Sequence, residues 1–125
     1  MKYGSEFEIA IKDTAEKGKG VFAMEDIPTN RKIFINFMMP IPEDELDQYR
    51  DLSLRHYFFK WEKTYAISLG QALYMNHSHA PNVKIIRYFR ENFIEGFSTK
   101  PIPAGTELTH KYADLSWFPD HDLWA

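Results

Sequence analysis

Only one segment of this 125-residue chain keeps helical spacing, and it is short. Everything else reads as strand-length apolar runs cut by turns. Phe7, Ile9 and Ile11 alternate with Glu8, Ala10 and Lys12, the period of a half-buried strand. A glycine turn follows at 18–20, then a short run at Val21-Phe22-Ala23 and a turn at Asp26 to Asn30. Ile33 to Phe37 is β-branched and aromatic, as strands prefer. Tyr65 to Leu69, Val83 to Tyr88, Phe93 to Thr99 and Thr106 to Tyr112 extend the pattern. The helical exception opens at Pro42-Glu43-Asp44-Glu45-Leu46, with proline at the first position and acids at the positive end. It is expected to fray near Asp51 to Ser53 and to restart toward Phe59. Many short strands with one helical insert give a mostly-β α+β domain of several small sheets. There is no repeat or linker, so residues 1–125 form one domain.

Composition narrows the function classes. Hydrophobic residues make up 44% and aromatics 16%, enough for a packed core. The net charge of -3 argues against nonspecific nucleic-acid binding, which needs a basic face, and suits a basic protein partner. There is no cysteine, so neither disulfides nor thiolate-held zinc can occur. No apolar run approaches the ~20 residues of a membrane-spanning helix. The N-terminus does not resemble a signal peptide. An intracellular protein is expected, cytoplasmic in a prokaryote and able to reach the host nucleus if viral or eukaryotic.

Three motifs carry the chemistry. The stretch Tyr74-Met75-Asn76-His77-Ser78-His79-Ala80-Pro81-Asn82 holds two Asn, two His and a Ser within seven positions, with Pro81 stiffening the run. Near the N-terminus stands Lys17-Gly18-Lys19-Gly20-Val21-Phe22-Ala23. Near the C-terminus stands Gly105-Thr106-Glu107-Leu108-Thr109-His110-Lys111-Tyr112. In this order, from about Phe7 to Trp117, they resemble the motif set of SET-domain protein lysine methyltransferases. The resemblance is greatest to the minimal stand-alone viral and prokaryotic SET proteins. It implies a SET-domain β-fold with a core of about 7–116 and a knot-like C-terminal crossing beneath residues 76–82. It also implies S-adenosylmethionine as cofactor, with S-adenosylhomocysteine as product. The tail, 117–125, would cover the cofactor.

The resemblance assigns roles residue by residue. Gly18, Lys19 and Gly20 would lie against the cofactor through the backbone, with Lys19 where the family often has an aromatic. Asn76 and His77 would meet the cofactor through backbone groups and the Asn amide. Tyr112 would be the active-site phenol, and also touch the cofactor. Tyr57 would line the lysine channel with Tyr112. His110 stands where the family often has Phe or Tyr and would influence how many methyl groups fit. Trp117 would stack on the adenine.

Each residue also has a plainer reading. Gly18 and Gly20 make a tight turn. Tyr112 is a core aromatic, Tyr57-Phe58-Phe59 and Trp61 pack a core, and Trp117 anchors the tail. His77 and His79 sit at metal-ligand spacing, but lack two further ligands, and no metal is expected. The acids Glu43, Asp44, Glu45 and Asp47, with Asp114, Asp120 and Asp122, form a solvated face or an acidic rim for a basic peptide. The partner would be a lysine-containing, basic protein such as a histone. Neither direct nucleic-acid nor membrane contact is expected, and homodimerisation is one way for so short a chain to complete a peptide groove. Two rival readings are a catalytically weak SET-like module that binds peptide or partner, and a zinc-binding β-domain.

Overall fold

A computed structural model describes residues 4–112. Ten strands run in chain order: β1 (Gly4–Ser5), β2 (Ile9–Asp13), β3 (Lys19–Ala23), β4 (Lys32–Pro40), β5 (Phe58–Trp61), β6 (Thr64–Ser68), β7 (Asn76–His77), β8 (Val83–Tyr88), β9 (Phe93–Ser98) and β10 (Glu107–His110). Six form one sheet in the order β5-β6-β4-β9-β8, with β1 on β4. The other four form a second sheet, β2-β3-β10-β7.

The second sheet brings the three motifs together. β10 is antiparallel to β3, pairing Glu107 with Phe22 and Leu108 with Val21. Its other edge runs parallel to β7, pairing Thr109 with Asn76 and His110 with His77. Residues 76–82 then clasp β10. The Ser78 N–H donates to the His110 carbonyl at 3.0 Å. Asn82 donates to the Glu107 carbonyl and accepts from the Thr109 N–H, both at 2.9 Å. One side chain thus replaces a strand neighbour on β10.

The core draws side chains from both sheets. Phe34, Ile33, Ile94, Ile102, Leu108 and Val21 are all fully buried. Each large apolar side chain so buried contributes about 1.5–3 kcal/mol. Inside this core, buried Asn36 accepts from the Ser68 hydroxyl at 3.1 Å and from the Ala72 N–H at 2.9 Å. Its amide donates to Gln71 Oε1 at 2.6 Å and the Ile35 carbonyl at 2.8 Å. These bonds fix the turn at Gln71–Tyr74, which feeds directly into β7. Gly70 packs so closely that a Cβ there would lie 2.3 Å from the Asn36 amide nitrogen.

The helical insert differs from expectation. Glu43–Tyr49 and Ser53–Tyr57 are two 3₁₀ turns: the break falls where fraying was expected and the restart comes at Ser53, but as 3₁₀ rather than α-helix, and it ends at Tyr57, where strand β5 begins. Neither turn buries a residue fully. Leu46 and Tyr49 only lean on a small cluster of Ile41, Phe58 and Tyr65. Such a short segment with so narrow an apolar face does not offset the cost of nucleating an α-helix. Phe58, Phe59 and Trp61 are buried, and β5 joins the large sheet through β6. No helix among the described residues is long and apolar enough to cross a membrane.

Candidate active site

The turn before β3 is built by its own side chains. The Thr14 N–H and hydroxyl both donate to the Gly18 carbonyl, at 2.7 and 2.8 Å. The same hydroxyl accepts from the Lys17 N–H at 2.8 Å. Gly18 has φ +72°, and the space beside it is open. Gly20 is confined instead: a Cβ there would stand 2.6 Å from Glu107 Oε2 and 3.2 Å from Asn76 Nδ2.

Asn76 joins all three motifs. Its amide donates to the Lys19 carbonyl at 3.0 Å and to Glu107 Oε2 at 2.7 Å. The amide expected to meet the cofactor, together with backbone groups, also ties the scaffold together through these two bonds. Sequence reading missed this because the partners lie far along the chain. It also gave Glu107 no role beyond its motif. Lys19 contributes its backbone here, while its ammonium pairs with exposed Asp13 at 2.7 Å.

A cleft of about 470 Å³ opens against this wall. Its lining includes Gly18, Lys19, Asn76, His77, Tyr57 and Tyr112, all singled out in the sequence. It also includes Lys17, Tyr74 and Met75, which belong to or border those motifs but were given no role, and Glu16, His56 and Leu73. A second, narrow cavity of about 10 Å³ is lined by His110, Phe59, Lys60 and Arg87, among others. Tyr57, Met75 and Tyr112 line both. Tyr57 is half-exposed, with its ring edge-on to Tyr74 at 5.9 Å.

Tyr112 is held at both ends. Its N–H donates to His77 Nδ1 at 2.9 Å, and its hydroxyl donates to the Met75 carbonyl at 3.0 Å. Burial, helped by Glu107, pushes the phenol above its ordinary value, so it stays protonated at neutral pH. His110 lies 4.9 Å from the Tyr112 ring and stacks on Phe59 at 5.2 Å. Neither ring nitrogen of His110 has a partner among the described residues. Burial first, and then Arg87 and His77, bring its pKa down to about 3. His77 falls to about 4, through burial and then the neighbouring His79, Lys17 and Lys111. Both rings are therefore neutral at physiological pH. Arg87 is mostly buried, donates to the Lys60 carbonyl at 3.2 Å, and has its pKa lowered by desolvation. No pattern in the sequence singles it out.

His79 lies edge-on to His77 at 4.6 Å. Among the described residues, no three His, Cys, Asp or Glu side chains gather as metal ligands would. Trp117, Asp114, Asp120 and Asp122 lie outside the described residues.

Comparisons with known proteins bear on the family and the fold. The sequence profile of the SET domain matches residues 18–113. The histone-lysine N-methyltransferase, H3 lysine-37 specific, of Schizosaccharomyces pombe is 33% identical over 114 residues, spanning 90% of this chain and 78% of its own length. Human histone-lysine N-methyltransferase 2D is 28% identical over 107 residues, but this chain spans only 2% of it. In fold, the chain is similar to a crystal structure of a candidate histone methyltransferase from Plasmodium falciparum. The TM-score is 0.63 at 24% identity, covering 90% of this chain and 98% of that one. These relatives are eukaryotic, whereas the motif resemblance pointed toward viral and prokaryotic proteins.

Proposed function

The chain belongs to the SET-domain family of protein lysine methyltransferases, and from that premise we propose that it transfers a methyl group from S-adenosylmethionine to the side-chain amine of a lysine in a basic protein. Histone tails are the first substrates to test, since the relatives are named for histones. The observation that carries the reading is the meeting of a wide cleft and a narrow cavity at Tyr57 and Tyr112. The wide cleft would hold the cofactor and the narrow one would admit the lysine.

The donor set of the cleft suits such a cofactor. Its volume falls in the usual range for small-molecule sites, about 300–1,000 Å³. The lining offers an ammonium on Lys17, a carboxylate on Glu16 and the flat rings of Tyr57 and Tyr74. Those groups match a ligand with a zwitterionic end and an aromatic base. When bound, the cofactor supplies an activated methyl on a sulfonium.

The chain's own residues would do the rest. Methyl acceptance needs a neutral amine, and a dry channel lowers a lysine's pKa. Part-buried Arg87 lines the same cavity, and its positive charge would add a repulsion that also favours the neutral amine. Tyr112, fixed at N–H and hydroxyl, would orient the amine and favour partial positive charge near its oxygen. Tyr57 would form the facing wall, and the His110 ring would set the channel's width.

Incubation with isotope-labelled S-adenosylmethionine, recombinant histones and cell extract tests the reading. Label is expected on lysine, in the presence or absence of chelator. Binding of S-adenosylhomocysteine without transfer to any protein would leave only a peptide-binding module. No binding at millimolar ligand would remove the methyltransferase reading altogether.

A further inference from the structure

Asn36 is a fully buried polar side chain on β4, between β6 and β9 and lining neither cavity. An amide in an apolar core is costly unless its bonds are made. Beyond its own strand, all of its printed partners lie in residues 68–72: the Ser68 hydroxyl, Gln71 Oε1 and the Ala72 N–H. Gly70 of the same segment leaves no room for a Cβ against the amide. The segment is thus moulded on Asn36, and it runs on into Leu73 and Met75, which line both cavities. From Asn36 an unbroken series of hydrogen bonds reaches Tyr112. Asn36 Oδ1 accepts from the Ala72 N–H at 2.9 Å. The Ala72 carbonyl accepts from the Met75 N–H at 3.1 Å. The Met75 carbonyl accepts from the Tyr112 hydroxyl at 3.0 Å. The backbone between is a single 3₁₀ turn, so each bond leaves the next little freedom, and bonds in series polarise one another.

We propose that Asn36 is a positioning residue for the transfer step: through Ala72 and Met75 it holds the carbonyl that sets the direction of the Tyr112 hydroxyl. This rests on the methyl-transfer reading above. Asn36 touches neither cavity, so it acts on rate through Tyr112 and leaves the cofactor wall as it is. The amide also answers a question of packing. A leucine branches at the same atom and is apolar, but it would leave the Ala72 N–H and the Ser68 hydroxyl without their acceptor and the turn free to shift.

The test is a double-mutant cycle on the full chain. Single-turnover rates on histone and affinity for S-adenosylhomocysteine are measured for wild type, Asn36→Leu, Tyr112→Phe and the double variant. Asn36→Leu is expected to slow transfer by about tenfold or more, with ligand affinity within about threefold. In the Tyr112→Phe background the same substitution should cost less than about threefold, because the hydroxyl it acts through is gone. Asn36→Asp keeps the acceptor for Ala72 and Ser68 and should retain most of the rate. Equal losses in the two backgrounds would make Asn36 a purely structural residue and overturn the proposal. So would a loss confined to ligand affinity. Gln71→Met, at a half-buried position, removes one partner of the amide and repeats the cycle should Asn36→Leu fold poorly; a smaller loss, again dependent on the hydroxyl, is expected. Carbon-13 at the tyrosine ζ position gives a readout apart from activity. Asn36→Leu should move the Tyr112 resonance, identified by its absence in Tyr112→Phe, and leave that of Tyr88 in place. An unmoved Tyr112 resonance would overturn the proposal. A wild-type protein that methylates no protein would instead defeat the methyl-transfer reading, with the resonance still deciding whether Asn36 holds the hydroxyl.

Discussion

Tyr112 is tied at its N–H to His77 and at its hydroxyl to the Met75 carbonyl, so its oxygen is placed before any substrate arrives. Tyr112→Phe keeps the ring and removes that oxygen. The expected outcome is an intact fold, cofactor affinity within a few-fold, and a maximal rate lower by about a hundredfold, the usual worth of one preorganised polar contact. Single-turnover kinetics checks it, and a loss confined to KM would show that Tyr112 only binds. Asn76 calls for a different expectation. With its amide bonded to Lys19 and Glu107, Asn76→Ala leaves a carboxylate oxygen and a carbonyl without their donor. Stability should fall by about 1–3 kcal/mol, with cofactor binding lost as the cleft wall loosens. Chemical denaturation and calorimetry on the same sample separate the two effects. The motif positions of Gly20, Asn76, Glu107 and Tyr112 were legible from residue type and order. What Asn76 touches was not, because its partners sit 57 and 31 residues away.

At the scale of elements, legibility followed periodicity. β8 was bounded correctly by its run of apolar and β-branched residues, and β9 was missed by a single residue. β5 was obscured because three large aromatics in four positions fit a helix as readily as a strand; only the β6 edge beside it decides. The two-residue β7 carries no periodic signal at all, since its neighbour β10 holds it in place. The tightest joint between elements is where β3 meets the Asn76–Glu107 pair at Gly20. Gly20→Ala should force that pair apart, since a Cβ would lie 2.6 Å from Glu107 Oε2 and 2.8 Å from Thr14 Cγ2. We expect a loss of about 1–3 kcal/mol from overpacking. Gly18→Ala, facing open space, should instead show only the smaller strain of its positive φ. Thermal melts of the two variants give the comparison, and equal losses would mean that the Gly20 contact relaxes freely.

For the whole molecule, the two buried histidines link stability to pH. Their pKa values, about 4 for His77 and about 3 for His110, lie below the 6.5 of an unfolded chain. The unfolded state therefore takes up protons first as pH falls. The histidines' contribution is complete above about pH 6.5 and declines toward 4 and 3, by up to about 1.4 kcal/mol per pH unit for each ring. The melting temperature should drop steadily from pH 7 to pH 4, and His110→Phe should flatten that slope. An equal slope in the variant would mean that His110 takes up its proton without cost.

The placement of β10 between β3 and β7 also bears on how the protein is made. During synthesis, the glycine turn and residues 76–82 leave the ribosome well before Glu107 to Tyr112. Until the latter emerge, β3 lacks one neighbour, Asn76 lacks its carboxylate and Tyr112 does not yet exist. The strands of the large sheet are complete in the chain at Ser98, yet their core still awaits Leu108 of β10. A ribosome-bound chain halted before Glu107 would thus lack the wall of the pocket, and ligand could stabilise the protein only after translation has passed that point.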